Sequence, residues 1–356
     1  MLELKEYLQN TGKLIENAAL TLPTPYLAPE EIKEGALLYF FRGGKRLRPA
    51  LLRLFAGAYG GAEAEDRALY AALAIELFHN WTLVHDDIID RDSTRRGAKS
   101  THYHIAESFG SRQEGDNAFE YGVDAAILAG DSLHALSVRS LVKLSENKVS
   151  SDVVLKLIEL MEGDILDRLI YGEALDTRFG LLQGEVKREH CLDMIYGKTG
   201  ALFAFCAMAG TMIGLGSSDL TSDEVKRAMT FGLECGLAFQ LQDDILSLTS
   251  DQKTFGKPVL NDIREGKNTL IKHYAYTLCQ GEKRAVLERA MNNRNATEAQ
   301  LFAARDLILS CGALEMTLAD AADATNKALE AIEGLPESKY KNLIIKWAEM
   351  MLKRDH

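Results

Sequence analysis

Apolar residues recur along most of this chain at intervals of three and four, the spacing that places them on one face of an α-helix. The pattern predicts helices near Leu2–Ala19, Pro29–Phe41, Pro49–Tyr59, Asp66–Asp90, Asp124–Leu144, Ser151–Gly172, Lys187–Tyr196, Gly200–Leu215, Thr221–Leu248, Thr269–Cys279, Glu282–Met291, Thr297–Cys311, Ala313–Gly334 and Lys339–Arg354. Breaks between them fall on Gly, Pro, Asn and Asp clusters. Alternating β-branched runs, the signal for strands, are almost absent, and the six prolines are few for this length. The expected fold class is all-α. Ser93–Tyr121 is the most irregular stretch, polar and glycine-bearing, and reads as a long loop of the kind that often covers a site.

With 356 residues, 47% of them hydrophobic, the chain can bury a sizeable core. No internal repeat, low-complexity tract or Pro/Ser-rich linker divides it, so a single domain over residues 1–356 is expected. Thr199–Ser218 is uncharged for about the length that could span a bilayer, but its small residues suit a helix packed inside a bundle. A transmembrane segment is therefore not expected, nor a signal peptide, since Met1–Asn10 lacks a basic start followed by an apolar run. The five cysteines (Cys191, Cys206, Cys235, Cys279, Cys311) are scattered without a CxxC pair, which fits a reducing cytoplasm better than a disulfide framework. A net charge of −11 argues against nucleic acid as a partner.

Two acidic clusters interrupt the apolar helical pattern. In the first, DDIID, Asp86 and Asp90 stand one helical turn apart with Asp87 beside them, so three carboxylates can converge on hard cations. In the second, QDDILS, Gln240 precedes Asp243 and Asp244 by three and four residues, again on one stripe. Carboxylates without neighbouring Cys or His ligands favour magnesium over zinc. Basic segments accompany both clusters. Arg95 and Arg96 follow the first, where guanidinium can grip a phosphate bidentately. Upstream, Lys45, Arg46 and Arg48 follow a Gly-Gly pair, whose backbone amides can approach an anion. Lys257 and Lys267 follow the second cluster, and Lys198 with Thr199 opens the small-residue helix.

Taken in order, GGKRLRP at Gly43–Pro49, His79, DDIID-RDST-RRG, Gly130-Asp131, Lys198-Thr199, QLQDD and the GKP and DIREGKNT segments resemble the trans-isoprenyl diphosphate synthases of the polyprenyl synthetase family. The resemblance implies an isoprenoid synthase fold: a helical bundle around a deep central cavity, working as a homodimer that joins an allylic diphosphate to isopentenyl diphosphate. It implies further that Asp86 and Asp90 ligate two magnesium ions and Asp243 a third, supported by Asp87 and Asp244. By the same resemblance Arg95, Lys198 and Lys257 contact the allylic diphosphate, with Lys267 as a closing contact. Lys45, Arg48, His79 and Arg96 would hold isopentenyl diphosphate, while Lys198, Thr199 and Gln240 line the neighbourhood of the carbocation.

Product length should follow from how far the growing tail can reach. Trp81 and Phe78 lie five and eight positions before Asp86, about 7 and 12 Å along a helix, where bulky rings could form a floor or be ordinary core aromatics. An aromatic at the fifth position before a DDxxD without a two-residue insertion resembles the archaeal geranylgeranyl type. That implies mainly a C20 product, with farnesyl diphosphate (C15) as the alternative and a class I terpene or squalene-type synthase as a more distant rival. Two departures stand out: Ser247 occupies the place where many members carry a third Asp of the second cluster, and Lys99 a usual proline position. His102 and His104 lack a third soft ligand for zinc, and His85 reads as a helix-packing residue.

Overall fold

The computed structural model describes residues 2–22, 29–110, 117–181, 185–249, 263–264, 266–267, 269–293 and 295–352. The fold is all-α, as the periodicity predicts. Among the described residues the only strands are a two-residue pair, β1 (Thr94–Arg95) and β2 (Ala98–Lys99). The chain forms two compact units: Met1–Glu159 with Met208–Leu220 and Pro336–Leu343, and Leu160–Ala207 with Thr221–Leu335 and Ile344–His356.

The first unit is built mainly from α1 (Leu2–Ala19), α2 (Glu30–Phe41), α3 (Leu47–Arg67), α4 (Leu69–Ile89), the β1–β2 hairpin, α5 (Thr101–Gly110), α6 (Ala118–Val142) and α7 (Ser151–Leu160) as far as Glu159. Every residue of α4 from Ala71 to Phe78 is buried, which is why its pattern is apolar all round rather than on one stripe. Past Phe78, towards the C-terminal end where the acids stand, the helix becomes partly exposed. α6 lies against it through small residues, Ala125, Ala126, Ala129 and Gly130 among them. A Cβ on Gly130 would strike the ring of His85, whose Nε2 lies 3.2 Å from the Ile127 carbonyl. His85 is thus the packing residue expected.

In the stretch expected to be a loop, Ser93–Tyr121, the structure places the hairpin, then α5, and the start of α6 at Ala118. Residues 111–116 lie outside those described. The helix α5 was illegible because its buried face is carried by little more than Thr101, His102 and Ile105, amid Ser, Gly and charged residues. Ile105 reaches so close to α2 that a side chain on Gly35 would lie 2.7 Å from its Cδ1. His102 is buried, its Nδ1 3.4 Å from the Ser100 hydroxyl.

The second unit contains α8 (Leu166–Leu181), α9 (Arg188–Ile195), the first part of α10 (Ala201–Leu215), α11 (Asp223–Thr249) and the helices Leu270–Leu278, Glu282–Ala290, Glu298–Ser310 and Ala313–Ala331. Thr297 and Gln300 form a capping box that satisfies otherwise orphaned amides at one helix start. Trp347 is fully buried, edge-on to Phe203 at 5.4 Å. The helices expected at Lys187–Tyr196 and Gly200–Leu215 are one continuous rod, joined by a π-turn at Tyr196–Gly200. This rod is the one described helix long and apolar enough to cross a membrane, and 83% of its most apolar window is buried.

Glycines set the packing of that rod. A Cβ on Gly236 of α11 would lie 2.5 Å from the Cα of Gly200, and one on Gly232 would strike the Ala204 backbone. Backbone cannot yield as a flexible side chain can. We expect Gly236→Ala to destabilise the fold by about 1–3 kcal/mol, the range for overpacking, read as a lower urea midpoint at unchanged m-value.

Candidate active site

The first acidic cluster stands where α4 ends and the chain reverses. The Asp90 amide donates to the Asp86 carbonyl at 2.8 Å and the Asp92 amide to the Asp87 carbonyl at 2.9 Å, with Arg91 in the left-handed region at φ 58°. β1 and β2 then pair Thr94 with Lys99 and Arg95 with Ala98, leaving Arg96 and Gly97 as the two turn residues at φ 54° and 74°. Positive φ at both positions is the turn that matches strand twist. Glycine adopts it freely; arginine does so at a cost.

The hairpin returns Arg95 to the carboxylates. Its Nε donates to Asp87 Oδ1 at 2.6 Å and its Nη2 to Asp86 Oδ2 at 3.1 Å. Asp87 is fully buried and also accepts the Tyr39 hydroxyl, which itself accepts the Thr101 amide at 2.7 Å. Burial raises the Asp87 carboxyl above its ordinary value, opposed by Arg95 and Tyr39. The Tyr39 phenol is raised by burial and by the Asp87 charge. Burial works against the charge on Arg95, but the hydrogen bond and charge of Asp87, with Asp86, hold its pKa above the ordinary value.

Arg96 donates to the carbonyls of Gly43 and, at 3.0 Å, of Tyr39. Gly43 and Gly44 take φ 84° and 147°, and a Cβ on Gly44 would lie 3.2 Å from Arg96 Nη2, so Gly44 makes room for the guanidinium. Lys45, next in sequence, is exposed. Arg48 Nη1 lies 3.3 Å from His79 Nε2. Burial and then the charges of Arg48, Arg96, Arg95 and Arg46 push the imidazole well below its ordinary value. Arg46 departs from the expected basic loop: it is 5% exposed, ion-paired to Glu76 and to Glu16 at 3.0 Å, and donates to the Phe40 carbonyl. It ties α1, α2 and α4 together. Further back on α4, Phe78 is fully buried while Trp81 is partly exposed, edge-on to Phe78 at 4.9 Å and 4.8 Å from the His134 ring.

In the second unit the π-turn carries Lys198 and Thr199, in keeping with the frequent use of such bulges at functional positions. A Cβ on Gly172 would strike the Lys198 amide, so α8 and the π-turn meet backbone to backbone. Lys198 consequently reaches Asp176 at 2.6 Å and Glu173 at 2.9 Å. Thr199 donates to Gln240 Oε1 at 3.0 Å, and Gln240 Nε2 donates to Asp244 Oδ1 at 3.0 Å. Asp244 is buried and Asp243 partly exposed. Ser247 donates to the Asp244 carbonyl at 2.8 Å, a backbone role that an aspartate could not take. Lys267 is partly exposed, directly after Gly266; Lys257 lies outside the described residues.

Thus Asp86, Asp87 and Arg95 form one cluster, Arg48 and His79 a second, and Thr199, Gln240 and Asp244 a third. Sequence reasoning missed Tyr39, Glu173 and Asp176. Tyr39 reads as an ordinary core aromatic, whereas the spacing of Glu173 and Asp176 one turn apart on α8 was a visible signal for a cation partner. Among the described residues no three His, Cys, Asp or Glu side chains stand together as a preformed ion cage. The donor set of the first cluster still fits a hard cation. Asp86 and Asp87 both meet the Arg95 guanidinium, and the carboxylates of Asp86, Asp87 and Asp90 are hard oxygen donors.

The Polyprenyl synthetase family profile matches residues 30–308. The geranylgeranyl diphosphate synthase of Sulfolobus acidocaldarius is 34% identical over 304 residues, 85% of this chain and 84% of that one. The geranylfarnesyl diphosphate synthase of Aeropyrum pernix is 33% identical over 87% of this chain and 89% of its own. The crystal structure of the geranylgeranyl pyrophosphate synthetase from Pyrococcus horikoshii superposes with a TM-score of 0.80 at 31% identity, covering 99% of this chain and 98% of that one. The chain belongs to the polyprenyl synthetase family and is a trans-prenyltransferase of the isoprenyl diphosphate synthase type.

The low pKa of His79 has a measurable consequence. An unfolded chain takes up a proton on this imidazole near pH 6.5, whereas the folded chain resists until lower pH, so stability is full above about pH 6.5 and falls as pH drops below it. Urea midpoints measured from about pH 7.5 down to 5 should fall less steeply for His79→Asn than for the parent. Parallel slopes would show that His79 does not carry the effect.

Proposed function

We propose that this chain condenses allylic diphosphates with isopentenyl diphosphate to give mainly geranylgeranyl diphosphate, as a cytoplasmic homodimer. The observation that carries the reading is the basic cluster itself: Arg48 Nη1 lies 3.3 Å from His79 Nε2, and the charges of Arg96, Arg95 and Arg46 bear on the same imidazole, a setting suited to a diphosphate. Arg48, Arg96, Lys45 and His79 are assigned to isopentenyl diphosphate, with His79 as a neutral hydrogen-bonding group. Arg95, Lys198, Lys257 and Lys267 are assigned to the allylic diphosphate. The free thiols of all five cysteines fit a reducing compartment, and the exposed Ile127, Leu128 and Val142 on α6 offer a second copy an apolar face.

Asp86 and Asp90 would hold two magnesium ions and Asp243 a third, with Asp87 and Asp244 in support, and the ions would supply the positive charge that stabilises a departing pyrophosphate. The protein's own part begins with binding. A diphosphate that draws Arg95 from Asp86 and Asp87 exchanges one set of charge-assisted bonds for another, while Tyr39 keeps Asp87 in place. Release of pyrophosphate leaves an allylic cation that the alkene of isopentenyl diphosphate attacks, and loss of a proton to the departed pyrophosphate completes the new unit. Thr199 and Gln240 present their oxygens beside that cation, and the chain from Thr199 through Gln240 to Asp244 fixes their orientation. The fully buried Phe78 backs Trp81, so Trp81 is the ring assigned to meet the tail. Relatives named for C20 and C25 products match this chain about equally, which suits a length set by a few side chains rather than by the whole sequence.

The direct test is incubation with magnesium, isopentenyl diphosphate and dimethylallyl, geranyl or farnesyl diphosphate, followed by chromatography of the dephosphorylated products. Elongation ending mainly at C20 is expected; cyclised or head-to-head products would overturn the assignment. Trp81→Ala should shift the products to longer chains, and an unchanged distribution would remove Trp81 from the floor. Asp86→Ala should lower turnover by about 10²–10³-fold with the circular dichroism spectrum intact, and near-normal turnover would contradict the metal role.

A further inference from the structure

Lys272 is a buried charge that the assignments above leave unused. It lies in the first turn of the helix Leu270–Leu278, is 4% exposed, and its ammonium donates to the Gly266 carbonyl at 2.9 Å. The Tyr276 ring lies 5.8 Å away from the ammonium. Burial lowers its pKa to about 8, the nearby Cys191 working in the other direction, so it remains mostly a cation at neutral pH. Burying an ammonium is unfavourable compared with a leucine of similar size, unless the hydrogen bond it makes holds something in place.

What it holds is the turn before Lys267. Gly266 sits at φ 70°, its amide donating to the Ile263 carbonyl at 3.1 Å, and the Asn292 amide donates to that same carbonyl at 3.2 Å. A Cβ on Gly266 would lie 2.5 Å from the Asn292 Cβ, so the turn is pressed against that residue. Beyond it, the Thr269 amide donates to the Lys267 carbonyl at 3.1 Å, and the Thr269 side chain caps the helix by accepting the Lys272 amide. Lys267 is thus bracketed by Gly266 and Thr269, and Lys272 bonds to both.

We propose that Lys272 is a positioning residue, which fixes the Gly266 turn through its ammonium so that Lys267 is presented to the allylic diphosphate. The inference rests on the assignment of Lys267 to that substrate. A merely packing role would affect stability without distinguishing the two substrates. A positioning role changes the apparent KM for the allylic diphosphate and leaves that for isopentenyl diphosphate alone.

The test uses the full-length enzyme with magnesium and each substrate varied in turn. Lys272→Met should raise the allylic KM about tenfold, the scale of one lost charge-assisted hydrogen bond, with the isopentenyl KM within about twofold of the parent, and Lys272→Arg should recover most of the loss. Lys267→Ala should raise the same KM, and the Lys267→Ala/Lys272→Met pair should be no worse than Lys267→Ala alone, because one acts through the other. Gly266→Ala is the second route: it disturbs the same turn without touching Lys272 and should raise the allylic KM as well, even where Lys272→Met fails to fold. Additive effects in the pair, equal changes in both KM values, or an unchanged allylic KM in Lys272→Met and Gly266→Ala would each overturn the proposal. An unchanged KM in Lys267→Ala would overturn it through the Lys267 assignment, with prenyl transfer itself intact. A parent chain that elongates no primer would instead overturn the proposed function.

Discussion

Like charges held close together are the constraint on which the first unit depends. The charges of Arg46, Arg48, Arg95 and Arg96 all bear on one imidazole, and each guanidinium needs its own compensation. Arg46 is neutralised inside the protein by Glu76 and Glu16, and Arg95 by Asp86 and Asp87. Arg96 is met by backbone carbonyls of Tyr39 and Gly43, which supply partial charge only, and Arg48 faces the neutral His79. The compensation is uneven. Buried ion pairs fix the frame around the basic groups assigned to the substrate diphosphates.

A second constraint is distance of approach. Where Gly172 meets the Lys198 amide and Gly236 meets Gly200, a single methyl group would occupy space already taken by backbone. These contacts let small residues set the position of the side chains assigned to the substrates. The π-turn is the clearest case: a wider helical turn at Tyr196–Gly200 sets Lys198 beside Asp176 and Thr199 beside Gln240. A methyl on Gly236 would press on Gly200 at the end of that turn.

The sequence made the helices, the acidic stripes and the basic segments legible because each rests on periodic or composition signals: Asp86 and Asp90 share a face by spacing alone. What stayed hidden depends on tertiary contact. The α5 helix has too few apolar positions to stand out, and its reason for existing is Ile105 fitting against Gly35. The hairpin was missed because arginine is a poor guess for a residue at φ 54°. Arg46 looked like its neighbours Lys45 and Arg48, since no local pattern tells a cation paired with Glu76 from one facing a ligand. Tyr39 gave no sign that its hydroxyl would hold Asp87.

The Arg96–Gly97 turn bears on how this enzyme can change over time. Asparagine or glycine at position 96 would relax the left-handed backbone and remove one member of a crowded cationic group, so both local terms favour replacement. With the proposed role of Arg96 at isopentenyl diphosphate, selection for a sturdier fold and selection for substrate binding pull this position in opposite directions. A lineage freed from the reaction, retaining the chain only as a scaffold, should drift here early.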